Sequence, residues 1–290
     1  MSPSQRLVDK TIESHSNTIY SDWRDLLLAK GIKKQGEFLI SGDRAVRDTL
    51  ERVPQLARSL ILCADRHVPS REAAMSGPSS GPNSWQSLIE RARELTKKNE
   101  PRFSVISLAR PLFDALDVSG THAPILVAKT PPINEAKLKE PPEGLELMCA
   151  LGDPSNVGAV LRSAAAFGVS RVILLKECAS PFHPKAVRSA SAATLLTPLV
   201  RGPSILDLPV LAADGALHGP VLALDMKGHD VGDYKWPKSA RLLLGEEGQG
   251  VPPSSKFEYL AIPMQPGVES LNATIAASIA LFASHRSRSR

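Results

Sequence analysis

The chain is 290 residues long, with 35 lysines and arginines against 30 aspartates and glutamates and a formal net charge of +5. That length suits two domains of ordinary size, and a 42% hydrophobic content is that of a soluble globular protein. Aromatic residues make up only 4%, which calls for aliphatic, alanine-rich cores; the basic excess lies before residue 133, where 19 lysines and arginines face 15 acids, and is compatible with a polyanion partner such as RNA.

The first thirty residues carry Asp9, Glu13, Asp22 and Asp25 and no apolar run of signal length, so neither a secretory signal nor an acid-poor transit peptide is expected. "FLISGDRAVRDTLE" (38–51) reads as a strand running into a helix, with Ala45, Val46 and Leu50 on one face. "SLILCA" (59–64) reads as a buried strand. The stretch 68–84, rich in Ser, Pro and Gly, reads as a loop. A helix over 85–98 and strands over 103–107 and 123–129 follow, and this alternation predicts a small α/β sandwich for residues 1–133. "TPPINEAKLKEPPEG" (130–144) has four prolines and mixed charge, so a linker is expected over 134–143.

The remainder, 144–290, alternates again. Strands are predicted at 145–151, 171–176, 220–224, 240–245 and 259–262, and helices at 156–167, 184–192 and 272–284. Near-continuous apolar strands such as "RVILL" and "ARLLLG" point to a parallel sheet covered on both faces. The run "ATIAASIALFA" (273–283) is too short to span a bilayer. The tail "HRSRSR" reads as a disordered, solvated end or as a phosphate contact. Cys63, Cys149 and Cys178 are an odd number without a CxxC pair, as expected of reduced, mostly buried thiols. A cytoplasmic protein is therefore expected, with an organellar setting as the alternative.

In a parallel α/β sheet, ligands bind at the carboxyl ends of the strands. Three such ends carry unusual residues here. In "GDPSNVGAVLRSAAAFGV" (152–169), Asn156 can cap a helix, Gly158 permits close approach, and Arg162 places a guanidinium on an otherwise apolar helix. "LLLGEEGQGVP" (242–252) is a strand that breaks into a glycine-rich loop. In "IPMQPGVESLNATIAASIALF" (262–282), Ser270 and Asn272 sit at a helix start. Taken singly, each has a plain reading: the asparagines as N-caps, Arg162 as a snorkelling side chain, the alanines as helix formers. "GEEGQG" is neither GxGxxG nor a Walker loop, and Glu246 and Glu247 would repel phosphate. A dehydrogenase or NTPase is therefore disfavoured.

Together, and in this order, the three stretches closely resemble the signature motifs of the SpoU family of RNA ribose 2'-O-methyltransferases, in the SPOUT superfamily. The resemblance covers about residues 144–285. More loosely, "EFLISGDRAVRDTL" and "FDALDVSGTHAPILVAK" resemble the family's N-terminal substrate-binding domain, itself similar to ribosomal protein L30e. The resemblance implies an α/β domain with a deep trefoil knot, a homodimer whose sites are completed by the partner, and S-adenosylmethionine held by Gly245, Ile262, Met264, Ser270, Leu271 and Asn272. It implies catalytic roles for Arg162, Asn156, Glu247, Ser270 and Asn272. Lys185 and Arg188 match a basic helix and are possible RNA phosphate contacts. Glu246 stands where the family often has a small polar residue, so its role is open.

Methyl transfer from a sulfonium needs an oxygen held in line and made more anionic, and no metal. A guanidinium, with a pKa above about 12, is a poor proton acceptor. Stabilising a developing alkoxide and orienting a phosphate suit Arg162 better. The substrate implied is structured RNA, with rRNA favoured over tRNA because an L30e-like domain suits looped elements. Two other readings remain: a non-catalytic RNA-binding or ribosome-assembly protein of the same fold, and a base methyltransferase of the wider superfamily.

Overall fold

Two strand-helix alternations build two units in the computed structural model, which describes residues 8–64, 84–99, 101–191 and 193–288. One unit comprises Met1–Pro131 with Phe182–Leu195, the other Pro132–Pro181 with Leu196–Arg290. Apart from Ser84, the 68–84 stretch lies outside the described residues.

The first unit runs β1 (Lys10–Ile12), α1 (Thr18–Asp25), α2 (Ala29–Gln35), β2 (Glu37–Ser41), α3 (Asp43–Arg52), β3 (Ala57–Cys63), α4 (Trp85–Thr96), β4 (Ser104–Leu108), α5 (Arg110–Asp114) and β5 (Ile125–Lys129). Its sheet has the order β1-β4-β3-β5-β2, with β1, β4 and β3 parallel and β5 antiparallel to both neighbours. Helix starts follow local chemistry. The Asn17 side chain accepts from the amides of Ile19 and Tyr20 ahead of α1, and Ser84 accepts from Ser87 ahead of α4. Helix α2 ends on Gly36, whose φ of 66° is one that glycine adopts without a Cβ penalty. In α3, Ala45, Val46, Thr49 and Leu50 are buried, the face expected from the 3.6-residue period. Tyr20, Trp23 and Phe113 pack against Ile61, Ile106 and Val127 to fill one side of the sheet.

The second unit runs β6 (Asn134–Glu135), β7 (Leu145–Cys149), α6 (Pro154–Ala166), β8 (Arg171–Leu174), then, after a segment that folds with the first unit, β9 (Leu199–Arg201), α9 (Leu208–Ala213), β10 (Val221–Asp230), β11 (Ala240–Leu244), β12 (Phe257–Ala261) and α10 (Ala273–Arg288). The segment assigned to the first unit holds α7 (Pro184–Ala190) and α8 (Ala193–Leu196). The sheet order is β12-β10-β11-β7-β8-β9-β6, and every pairing is parallel. All residues of β7 and β11 are buried, as for inner strands covered on both faces. The chain leaves β7 toward β8 and β9, and places β11, β10 and β12 on its other side. The switch therefore falls between β7 and β11, and the carboxyl ends of these strands share one edge.

Near the opposite edge, three charges lie side by side in register: Arg171 on β8, Glu146 on β7 and Arg241 on β11. Arg241 is 1% exposed and Glu146 2%. Glu146 accepts from Arg171 Nε and Arg241 Nε, each at 2.9 Å, while Arg241 also donates to the carbonyls of Glu140 (2.8 Å) and His218.

Four expectations are corrected. The 134–143 stretch is no free linker, because Asn134 and Glu135 pair with Val200 and Arg201 at the sheet edge. The helix expected over 184–192 folds with the first unit rather than the second. The basic tail is helical through Arg288, whose Nε donates to Ser284 Oγ at 3.1 Å. Helix α6 begins at Pro154 and not at Asn156: Asp153 Oδ1 accepts from the amides of Ser155 (2.8 Å) and Asn156 (3.0 Å), and proline suits the first helical position. Among the described residues, no helix is long and apolar enough to cross a membrane.

Candidate active site

With Asp153 as the cap, the Asn156 side chain is released from helix initiation and points into the junction of three loops. Its Nδ2 donates to Glu247 Oε1 at 3.1 Å, and its Oδ1 accepts from Thr274 Oγ1 at 3.2 Å and from Asn272 Nδ2 at 3.4 Å. Donors on one side and a carboxylate on the other fix which way the amide points. Glu247 spans back to the β7 loop, taking the Gly152 amide on Oε2 at 2.8 Å and the Asp153 amide on Oε1 at 3.5 Å. Asn272 does cap its helix: its Oδ1 accepts from the amides of Thr274 (2.9 Å) and Ile275 (3.3 Å). Helices α6 and α10 are further tied by Ser163 Oγ and Ser278 Oγ, 2.7 Å apart, and Ala277 and Ala280 are buried. The small residues of α10 thus permit the close approach that brings Thr274 to Asn156.

Burial pushes the Glu247 carboxyl upward, but hydrogen bonds from the Gly152 amide, the Asn156 side chain and the Asp153 amide outweigh it and hold the group below its ordinary 4.5. A carboxylate depressed on folding contributes its stabilisation above the ordinary value and loses it as pH falls through the folded one. Turnover is therefore expected to hold down to about pH 4.5 as far as this junction is concerned. Glu247→Gln, which surrenders one charged acceptor, should lower kcat by about tenfold, the worth of one charge-assisted bond, without an acid limb from this group. A kcat–pH profile of the two proteins checks this.

Beside the junction lies a cavity of about 210 Å3 between the ends of β10, β11 and β12 and the start of α10. Gly245, Ile262, Met264, Ser270 and Leu271 line it, whereas Asn272 lies at its edge in the junction. Leu224, Leu244 and Ala276 complete an apolar wall, and Asp225 and Glu246 also line it, the Asp225 Oδ1 accepting from the amides of Met226 (2.7 Å) and Lys227 (3.2 Å). Gly245 has a structural reason to be glycine: a Cβ there would lie 2.3 Å from the Gly250 backbone, which pairs with Glu246 to close a tight hairpin. In that hairpin Gly248 and Gly250 have φ of 89° and 72°. Apolar walls, exposed loop backbone and two carboxylates fit a ligand with a flat heterocycle and a positive centre, which is the chemistry of S-adenosylmethionine.

The remaining candidates lie elsewhere. Arg162 is exposed on α6, has no hydrogen bond or ion pair among the described residues, and does not line the cavity. Lys185 and Arg188 are exposed on α7, in the first unit, where Arg188 Nη1 donates to the Val118 carbonyl at 2.9 Å. Sequence reasoning missed Thr274 and Asp225. Thr274 stands two residues after a capping asparagine, a position whose amide and not whose side chain is ordinarily of interest. Asp225 ends an apolar run midway along β10, where its pairing with β12 becomes irregular.

A parallel α/β sheet whose switch-point loops meet at a polar junction beside an apolar cavity forms a small-molecule site of the α/β class. Residues 147–282 match the model of the SpoU rRNA Methylase family. Over 97% of its length the chain is 38% identical to a protein of Syntrophobacter fumaroxidans named ribosomal RNA small subunit methyltransferase G 2, but it spans only 50% of that relative. It is 28% identical to the 23S rRNA (guanosine(2553)-2'-O)-methyltransferase RlmP of Bacillus subtilis, over 94% of this chain and 98% of that one. In fold it resembles the SpoU methyltransferase AviRb of Streptomyces viridochromogenes, crystallised with AdoMet, with a TM-score of 0.70 at 24% identity over 94% and 98% of the two chains.

Proposed function

We propose that the chain transfers the methyl group of S-adenosylmethionine to a ribose 2'-hydroxyl of ribosomal RNA. The observation that carries this reading is the Glu247–Asn156–Asn272–Thr274 junction set against an apolar, carboxylate-bearing cavity, with an uncommitted guanidinium on the adjoining helix. S-adenosylmethionine supplies an electrophilic methyl carbon. The walls and loop backbone at Gly245, Ile262, Met264, Ser270 and Leu271 hold its adenine and sugar. In this reading the two cavity loops belong to the trefoil knot that the family resemblance implies. Bound there, S-adenosylmethionine would give its methyl carbon to the 2'-oxygen and leave as the thioether, and the hydroxyl proton would pass to water. Arg162 stays charged throughout and stabilises the developing alkoxide. Asn156 orients the ribose, and Glu247 fixes Asn156.

Arg162 does not line the cavity of its own chain, and in this reading a second copy supplies it. Ile275, Ile279 and Phe282 follow helical spacing on α10 and are 53%, 37% and 50% exposed, an apolar stripe of the kind a homodimer covers. The first unit, with Lys185 and Arg188, grips the RNA. The relative matched end to end is a 2'-O-methyltransferase of rRNA, and this weighs more than the name of one that the chain matches over half.

The test uses purified protein, S-adenosylmethionine, and rRNA or tRNA from cells lacking it. One rRNA linkage should become resistant to alkaline hydrolysis. A methylated base in the nucleoside digest would overturn the ribose assignment, and modification of tRNA alone would overturn the rRNA assignment. Cofactor binding without any transfer would leave a non-catalytic RNA-binding protein.

A further inference from the structure

The carboxyl edge of the second unit's sheet continues past the methyl-transfer site. Beyond β7 come β8, β9 and β6, and because all pairings are parallel their carboxyl ends lie on the same edge as the Asn156 junction. From that edge, where Lys176, Arg201 and Pro203 lie, a groove of about 620 Å3 runs past Leu138 and Leu211 toward the opposite edge, where the Glu140 carbonyl accepts from Arg241. Lys137, Lys139, Lys176 and Arg201 stand along it against Glu135 and Glu140, an excess of two cations.

The carboxylates do less to offset the cations than their number suggests. Glu140 is taken up by Lys137, at 3.1 Å. Glu177, next to Lys176 in the chain, is turned to the Ser204 hydroxyl and to the Ile205 amide at 3.0 Å, so its charge closes the neighbouring turn. Lys139, Lys176 and Arg201 are exposed and form no ion pair among the described residues. The groove floor is rigid: Ala136 N donates to the Arg201 carbonyl at 2.7 Å, and Lys176 N to the Pro203 carbonyl at 3.1 Å. Two strand spacings separate β7 from β9, about 10 Å, so an RNA strand whose target ribose sits at Asn156 passes this groove within a short reach.

We propose that the Lys139–Lys176–Arg201 groove binds the phosphates of the RNA strand flanking the methylated nucleotide. The inference rests on the RNA methyltransferase reading. It assigns RNA binding to the catalytic unit itself, apart from whatever the first unit contributes. Cations meeting a phosphate backbone give affinity without sequence preference, and each contact adds a fixed increment to the salt dependence.

The experiment measures binding of a fluorescein-labelled, mixed-sequence single-stranded RNA 20-mer to the full chain by anisotropy between about 50 and 200 mM salt. The variants are the parent, Lys176→Gln/Arg201→Gln, and Lys238→Gln, which removes an exposed charge two residues before β11 at the opposite edge of the sheet. For the double variant the slope of log affinity against log salt should fall by roughly 1.4, two contacts at about 0.7 each. KM for rRNA should rise with kcat at saturating RNA and S-adenosylmethionine affinity unchanged. For Lys238→Gln the slope should stay at the parent value. A double variant with the parent slope overturns the groove, and so does a Lys238→Gln slope that drops by as much as one groove contact. A parent protein that binds no RNA sinks the functional reading instead.

Discussion

Arg162→Ala is expected to lower single-turnover methyl transfer by roughly a hundred- to a thousandfold, the usual cost of removing one preorganised donor from a developing oxyanion, while S-adenosylmethionine affinity stays within about twofold. The split follows from position. Arg162 is exposed on α6 and lines no part of its own chain's cavity, and in the site it completes it faces the ribose and not the adenine and sugar that supply the cofactor's affinity. Its charge is unspent, which is what a group reserved for substrate requires. Arg162→Lys should recover part of the rate, since the point charge remains but the planar fork is lost. A variant that methylates rRNA at the parent rate would remove Arg162 from the mechanism. The same residue tests the homodimer. Mixing Arg162→Ala with a protein blocked in the cavity by Leu271→Trp should restore about a quarter of the parent activity, because half of the exchanged dimers are mixed and each holds one intact site of two. If each chain supplied its own Arg162, two dead proteins would stay dead together.

Much of the fold is visible in local pattern, because period-2 and period-3.6 apolar spacing follows from burial on a strand or a helix. "RVILL" and "ARLLLG" are continuous apolar runs, and the strands they form are covered on both faces. The start of α6 departs from the expected one because two residues compete for the cap. Asp153 followed by Pro154 is the stronger signal, since the acid caps and proline needs no amide partner, yet Asn156 invites the same role three residues on. Placing the start correctly changes the function, because it frees Asn156 for Glu247. What local pattern cannot supply is order across the sheet. Nothing near Asn134 and Glu135 announces β9 as a partner, and α7 gives no hint that it folds with residues before 131. The site was legible as motifs because its residues cluster at three strand ends. Thr274 was not, because its importance lies in a contact with a residue 118 positions away.

The same blindness to register hides a buried ion pair. Glu146 in "LELMC" and Arg241 in "ARLLL" look like blemishes in apolar strands, yet β7 and β11 set them directly opposite each other, with Arg171 in line on β8. Arg241→Leu is expected to cost about 3–5 kcal/mol, the range for breaking a buried pair by removing one partner. Arg171 still reaches Glu146, but at 29% side-chain exposure it offsets only part of the buried charge. The carbonyls of Glu140 and His218 lose their donor as well. By the usual scaling of melting temperature with domain size, thermal unfolding should fall by roughly 10 °C. Loss of volume alone predicts less: Leu fills most of the space of the arginine stem and forfeits little apolar contact. Glu146→Leu/Arg241→Leu separates the two causes. Removing both charges together abolishes the unpaired carboxylate, so the double variant should melt several degrees above Arg241→Leu, whereas a double variant melting as low or lower would show that the pair itself, and not the charge left behind, holds β7 to β11.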